Sequence, residues 1–136
     1  MLNPRVLDTS VASLLLNKSP ALLPYTPYFE NASLAISFQT VAEMRFGALR
    51  ANWGEPRRQA LEQFFRRFAI VGYHDRLASC WAEMMHDAAK VGKRLEAGDA
   101  WIAATAKFLN APLLTHDKDF SIEACPSITI YRHLPQ

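Results

Sequence analysis

Cysteine is scarce in this chain and neither sign of charge dominates, and both absences narrow the chemistry open to it. Only two cysteines occur in 136 residues, Cys80 in an apolar, helix-like segment and Cys125 just ahead of Pro126. Two isolated thiols without ligand spacing make neither a disulfide framework nor a cysteine metal site, so both are expected to be reduced, as in a cytoplasm. No uninterrupted apolar run approaches the ~20 residues that a membrane helix needs. The amino-terminal "MLNPRVLDTS" also lacks the charged region and apolar core of a secretion signal. The expectation is a soluble, cytoplasmic protein without a membrane partner. A formal net charge of +2 and an isoelectric point near 8.7 exclude an overwhelming whole-molecule attraction to nucleic acid, so any such preference has to be local. Repeats, low-complexity tracts and linkers are missing too. Half of the residues are hydrophobic, enough for one core, and residues 1–136 are expected to form a single domain.

What is present is an alternation of strands and helices. "RVLD" reads as a strand, and "TSVASLLLN" as a helix capped by Thr9 or Ser10, with Val11, Leu14 and Leu15 on one side. Pro20, Pro24 and Pro27 limit "SPALLPYTPYFENA" to a helical turn or two. "SLAISF" (33–38) is a second strand, and "QTVAEMRFGALRAN" a helix with Val41, Met44, Ala48 and Leu49 at helical spacing. "EPRRQALEQFFRRF" turns Leu61, Phe64, Phe65 and Phe68 to the core. "AIVGY" is a third strand, after which Asp75 can cap a long helix that Gly92 ends in a left-handed conformation. "EAGDAWIAATAKFLN" presents Trp101, Ile102, Thr105 and Leu109 on one face, and is followed by the strand "LLT" and a last strand in "SITIY". Alternation of this kind predicts an α/β fold, with right-handed crossovers around a mainly parallel sheet.

In such a sheet ligands bind beyond the carboxyl ends of the strands. Asp8 ends the first strand and Asp117 follows "LLT", so both point to that rim. Glu43 and Asp99 lie in the first turns of their helices, where they face it too, and Asp99 complements its helix dipole. Asp119 is a possible fifth acid. Two carboxylates ~4 Å apart repel by about 4 kcal/mol at an effective dielectric near 20, so the group calls for protons or a cation. An all-oxygen site suits Mg²⁺ or Mn²⁺ rather than zinc, because His116 is the only histidine near the rim. A divalent ion so held can orient a phosphodiester and activate water, which points to metal-dependent phosphodiester hydrolysis.

At these residues the sequence resembles the PIN-domain ribonucleases, and within them the VapC-type toxins of toxin-antitoxin pairs. The matching pieces are "LDTSV" (7–11), "TVAEMRFGAL" (40–49), "GDAWIAATA" (98–106) and "LLTHDKDF" (113–120), in the family's order. The resemblance implies a three-layer αβα sandwich and Mg²⁺- or Mn²⁺-dependent endoribonuclease activity on RNA. It also implies a cognate VapB-type antitoxin and homodimerisation. Carried over by position, Asp8, Glu43, Asp99 and Asp117 match the acidic catalytic and metal positions, and Thr9, Ser10 and Thr115 the hydroxyls beside them. Asp117 and Asp119 compete for the last acidic role, and Asp117 is favoured.

Each residue also has a plainer reading. Asp8 could merely cap a helix, Asp99 complement a dipole, and Glu43 pair with Arg45 or Arg50. His116 is expected on a surface loop, and His74, His86 and His133 to be structural. Arg57, Arg58, Arg66 and Arg67 make one basic face and Lys90, Lys93 and Arg94 another; either could meet RNA phosphates, although a solvated face is the commoner explanation. Trp53 alone among the tryptophans invites a check for exposure. Three other functions stay open: a PIN nuclease of RNA processing without a toxin role, a phosphoacceptor receiver module, and an idle RNA- or protein-binding module.

Overall fold

A computed structural model describes residues 1–135, so Gln136 of the expected 1–136 domain lies outside the described residues. Strand β1 (Pro4–Leu7) leads into α1 (Thr9–Leu16), a 3-10 segment (Pro20–Phe29), β2 (Ser33–Ser37), α2 (Phe38–Arg50), α3 (Glu55–Phe65) and β3 (Ala69–Val71). The chain continues through α4 (Asp75–Lys90), α5 (Ala97–Leu109), β4 (Leu113–Thr115), a short 3-10 turn (Ile122–Ala124) and β5 (Ile130–Arg132). The sheet order is β3-β2-β1-β4-β5, and its pairings are all parallel.

Successive residues of a strand face opposite sides, and each central strand here is apolar on both. Val6, Ala35 and Leu113 pack with α4 and α5, whereas Leu7, Ile36 and Leu114 pack with α1, α2 and α3. Helices therefore cover both faces, which is the three-layer αβα sandwich, and the strands read as continuous apolar runs for that reason. No helix among the described residues is long and apolar enough to cross a membrane.

Several expected boundaries move. Asp8, not Thr9 or Ser10, caps α1 and accepts from the Val11 amide, because β1 stops at Leu7 and the chain turns helical at once. "SLAISF" loses Phe38 to α2, since the Ser37 side chain caps that helix by accepting from the Gln39 amide at 3.0 Å. Similarly His74, in an extended conformation, caps α4 with its ring, and Asp75 is already in the first turn. Gly92 does end α4 in the left-handed region, at φ +69°. The proline-rich stretch forms a ten-residue 3-10 run, longer than the turn or two expected. The last strand is Ile130–Arg132 rather than 127–131, because the Ile128 amide is drawn into a turn with the Cys125 carbonyl. Helix α5 is buried on more than one side through Ala100, Ile102, Ala103, Ala104, Thr105 and Ala106, leaving Trp101 and Leu109 half-buried at its margins.

This order creates a switch point. From β1 the chain crosses to β2 on one side, and β4 later takes the other, so a crevice opens between the carboxyl ends of β1 and β4. Asp8 and Asp117 flank it.

Candidate active site

Asp8 is buried, with 4 % of its surface exposed, yet its carboxylate is well supported. One oxygen, Oδ1, accepts from the Ser10 hydroxyl at 2.6 Å and the Val11 amide at 3.0 Å, and Oδ2 accepts from the Thr115 hydroxyl. Burial raises its pKa; the bonds from Ser10, Thr115 and Val11 oppose that, and the charge of Asp117 adds to it. The same two hydroxyls bind β4 to its loop. Ser10 Oγ accepts from the His116 amide at 2.8 Å, and Thr115 Oγ1 from the Asp117 amide at 3.1 Å. Thus one buried threonine touches both flanking acids.

Across the crevice the support is thinner. Glu43 accepts from Thr9 and, at 3.3 Å, from Gln39 Nε2. The arginine pairing of the plainer reading is not made by Arg45, which forms a two-pronged pair with Glu62 of α3 at 2.7 and 3.1 Å. Thr9 also lies 3.1 Å from the hydroxyl of wholly buried Thr40. Helix α5 begins so close to α2 that a Cβ on Gly98 would stand 2.8 Å from Gln39 Nε2 and 3.5 Å from Glu43 Oε1. A glycine there lets α5 start against Gln39 without displacing its amide. No side chain or amide among the described residues donates to Asp99, and its pKa is pushed up to about 6 by burial first, then by the charges of Asp117, Glu43, Asp8 and Glu96.

Asp8, Glu43, Asp99 and Asp117, with Thr9 and Ser10, line one cleft of about 350 Å³. Thr115 is buried beneath it. Asp119 is exposed and turned out of the lining; its backbone amide donates to Asp117 Oδ1 at 2.8 Å. None of Arg57, Arg58, Lys90, Lys93 and Arg94 lines the cleft. Arg57 stacks over the half-buried Trp53 at 3.8 Å, while Arg58 pairs with Glu55 and Arg94 with Glu96. Lys90 and Lys93 are exposed. A separate groove between α2 and α3, lined by Arg45, Glu55, Arg58 and Glu62, carries balanced ion pairs rather than converging acids.

Sequence reasoning overlooked Gln39, Thr40 and Gly98 around Glu43, and two residues that hold the acidic loop. Arg132 Nη1 donates to the carbonyls of Asp117 at 3.0 Å and Phe120 at 2.9 Å. Tyr25, fully buried, donates to the Thr115 carbonyl at 2.8 Å. His133, expected to have no convergent partner, meets both Tyr25 and Tyr28. Helical spacing applied to Glu43 could have flagged Gln39, four residues earlier; nothing local points to Tyr25 or Arg132.

The family model of the PIN domain matches residues 5–122. The chain belongs to the PIN-domain family. Among curated relatives it is 30% identical to the ribonuclease VapC4 of Mycobacterium tuberculosis over 104 residues, covering 75% of this chain and 78% of that protein. The fold superposes on VapBC2 from Rickettsia felis, solved bound to a promoter DNA fragment, with a TM-score of 0.81 at 21% identity, over 96% of this chain and 98% of that one. It also matches VapBC-5 from Mycobacterium tuberculosis, described as a member of the VapBC family of toxin-antitoxin systems. The TM-score there is 0.66 at 25% identity, over 98% and 99% of the two chains. The chain is thus a PIN-domain protein of the VapC ribonuclease type, and the receiver alternative falls away with this match.

The donor set of this PIN domain suits a hard cation. Its converging groups are carboxylates, and the two cysteines are buried elsewhere as free thiols, Cys125 with its pKa pushed up to about 12 by burial. Among the described residues no three acids are closed around one point. The cleft is open rather than a cage, as suits Mg²⁺, which keeps several waters and uses one or two carboxylates.

Proposed function

We propose that this PIN-domain protein is an Mg²⁺- or Mn²⁺-dependent endoribonuclease in which Asp8, Glu43, Asp99 and Asp117 form the catalytic metal site. The observation that carries the reading is the convergence of these four acids, from four separate elements, on one cleft at the switch point of the sheet. A bound divalent cation would supply Lewis-acid polarisation of the phosphodiester and a more acidic water.

The residues divide the remaining work. Asp8, fixed on three hydrogen bonds, keeps lone-pair capacity on Oδ2 for a cation. Asp117 is aimed by Thr115 and by the Asp119 amide, and presents its other oxygen. Asp99, with no donor and its pKa pushed up to about 6, is mostly ionised at neutral pH and has its lone pairs free for a cation. Glu43, steadied by Thr9 and Gln39, is the group best placed to orient water. Asp119 serves through its backbone. Lys90, Lys93 and the Trp53-stacked Arg57, with Arg58 and Arg94 freed from their exposed pairs, would meet RNA phosphates outside the cleft.

The biological role proposed is that of the toxin in a toxin-antitoxin pair, with a VapB-type antitoxin as partner, in the cytoplasm, as a single-domain homodimer. What supports it is the likeness to VapC ribonucleases and to a chain of the VapBC family.

The test is RNA cleavage with Mg²⁺ or Mn²⁺, abolished by EDTA and by Asp8→Asn or Asp99→Asn, with circular dichroism showing each variant folded. Metal-supplemented parent that leaves RNA intact would contradict the reading.

A further inference from the structure

The acidic loop is held from behind by a residue outside the cleft. Tyr25 belongs to the proline-rich 3-10 segment, whose Pro24 and Pro27 restrict its backbone. It is the bulkiest fully buried side chain among the described residues. Burial alone would suit phenylalanine. The hydroxyl, however, has close partners on every side: the Thr115 carbonyl at 2.8 Å, the His133 amide at 2.9 Å and His116 Nδ1 at 2.7 Å, with the His133 carbonyl a much longer acceptor at 3.5 Å. A phenol has one proton to give and two lone pairs to fill. The His133 amide can only donate and the Thr115 carbonyl can only accept. Tyr25 therefore spends its proton on Thr115, and the remaining lone pair receives from His116, whose neutral ring must carry its hydrogen on Nδ1.

Thr115 and His116 are the two residues through which the loop is tied to Asp8. The Thr115 hydroxyl joins Asp8 to the Asp117 amide, and the His116 amide donates to Ser10, which in turn donates to Asp8. One phenolic oxygen thus fixes the backbone and ring of the pair that aims both acids of the strand side.

The geometry points to Tyr25 as a positioning residue of the nuclease site, which sets the placement of Asp8 and Asp117, and so the affinity for the divalent cation, through Thr115 and His116. This rests on the metal-dependent reading above and adds a residue that does not touch the cleft.

The experiment is Mn²⁺ binding, read as free Mn²⁺ by electron paramagnetic resonance, on the parent, Tyr25→Phe, Phe64→Leu and Asp99→Asn. Residues that orient metal ligands typically contribute about 10- to 100-fold in affinity, and a residue one contact further back should sit at the lower end, about tenfold. Tyr25→Phe keeps the ring and is expected to bind Mn²⁺ about tenfold more weakly than the parent. Phe64→Leu opens the core at α3, at a residue that neither lines the cleft nor bonds to the loop, and controls for loss of stability; it should bind as the parent does. Parent-like affinity in Tyr25→Phe overturns the inference, as does equal weakening in Phe64→Leu. A parent that binds no Mn²⁺, or an Asp99→Asn variant that binds as the parent does, overturns the metal reading itself, and this inference with it. Independently of any variant, the ¹⁵N shifts of the His116 ring in the parent should report hydrogen on Nδ1. Hydrogen on Nε2 would mean that Tyr25 donates to the ring and not to Thr115, and would overturn the assignment.

Discussion

The two sides of the acidic cleft are built differently. On the strand side, Asp8 and Asp117 are knitted together by Ser10, Thr115 and backbone amides, with bonds between 2.6 and 3.1 Å where they are not shorter. On the helix side, Glu43 leans on Thr9 and a long bond from Gln39, and Asp99 has burial and repulsion but no donor. Strand ends are fixed by the sheet and can carry a rigid carboxylate. Helix starts, packed through Gly98 and Gln39, hold carboxylates on fewer donors, and Asp99 there has its pKa pushed up to about 6.

Thr115→Val should have the largest effect, because it removes the donor to Asp8 and the acceptor for Asp117 at a fully buried position. A loss of about 1–3 kcal/mol in denaturant unfolding is expected, together with a 10- to 100-fold fall in Mn²⁺ affinity. The matching change across the cleft, Thr9→Val, should cost less on both counts, since Thr9 is only partly buried. Equal losses would erase the contrast.

Next come opposite signs. Asp99→Asn removes a charge that four acidic neighbours repel and is expected to raise the melting temperature of metal-free protein at pH 7 while abolishing cleavage. Asp8→Asn lowers both, because its new amide N–H₂ cannot accept the bonds now made to the carboxylate. Thermal unfolding of the two variants side by side decides this.

The same acid sets a pH dependence. Asp99 has a folded pKa of about 6 against an ordinary value of 3.8. Below both values each state holds the proton; between them the unfolded chain releases it and the folded chain keeps it. The Asp99 contribution to stability therefore falls as pH rises from about 4 to 6, then levels off. Metal-free parent should show this slope, Asp99→Asn should lack it, and Mn²⁺ affinity should climb over the same window.

Gly98→Ala is the smallest expected effect. The clashing atom is the end of the flexible Gln39 side chain, so stability should change by less than about 1 kcal/mol. Cleavage should still drop measurably as Gln39 leaves Glu43.

The acids themselves were legible in the sequence because their placement follows from strand ends and helix starts. Asp8 and Asp117 needed only the ends of β1 and β4, and Glu43 and Asp99 only the starts of α2 and α5. Helix caps were less legible. Asp8, Ser37 and His74 cap their helices because each sits at a strand or loop exit with an extended backbone, and that exit is set by tertiary pairing. The plainer reading of Glu43, an ion pair with Arg45, is not met because Arg45 has a better-placed carboxylate on α3. Tyr25 was invisible for a different reason: its partners Thr115 and His116 lie 90 and 91 residues away. Arg132 reaches the loop from β5, another pairing that no local pattern announces.

The central claim is that the cleft at the switch point holds a divalent cation for RNA cleavage. Anomalous scattering from crystals soaked in Mn²⁺ tests it most directly. The account predicts a manganese peak in the cleft, within ligating distance of one or two of the carboxylates of Asp8, Glu43, Asp99 and Asp117, with Asp119 out of reach. A peak held by Asp119 in place of Asp117, or none in the cleft from protein that cleaves RNA in the same Mn²⁺ buffer, would contradict it.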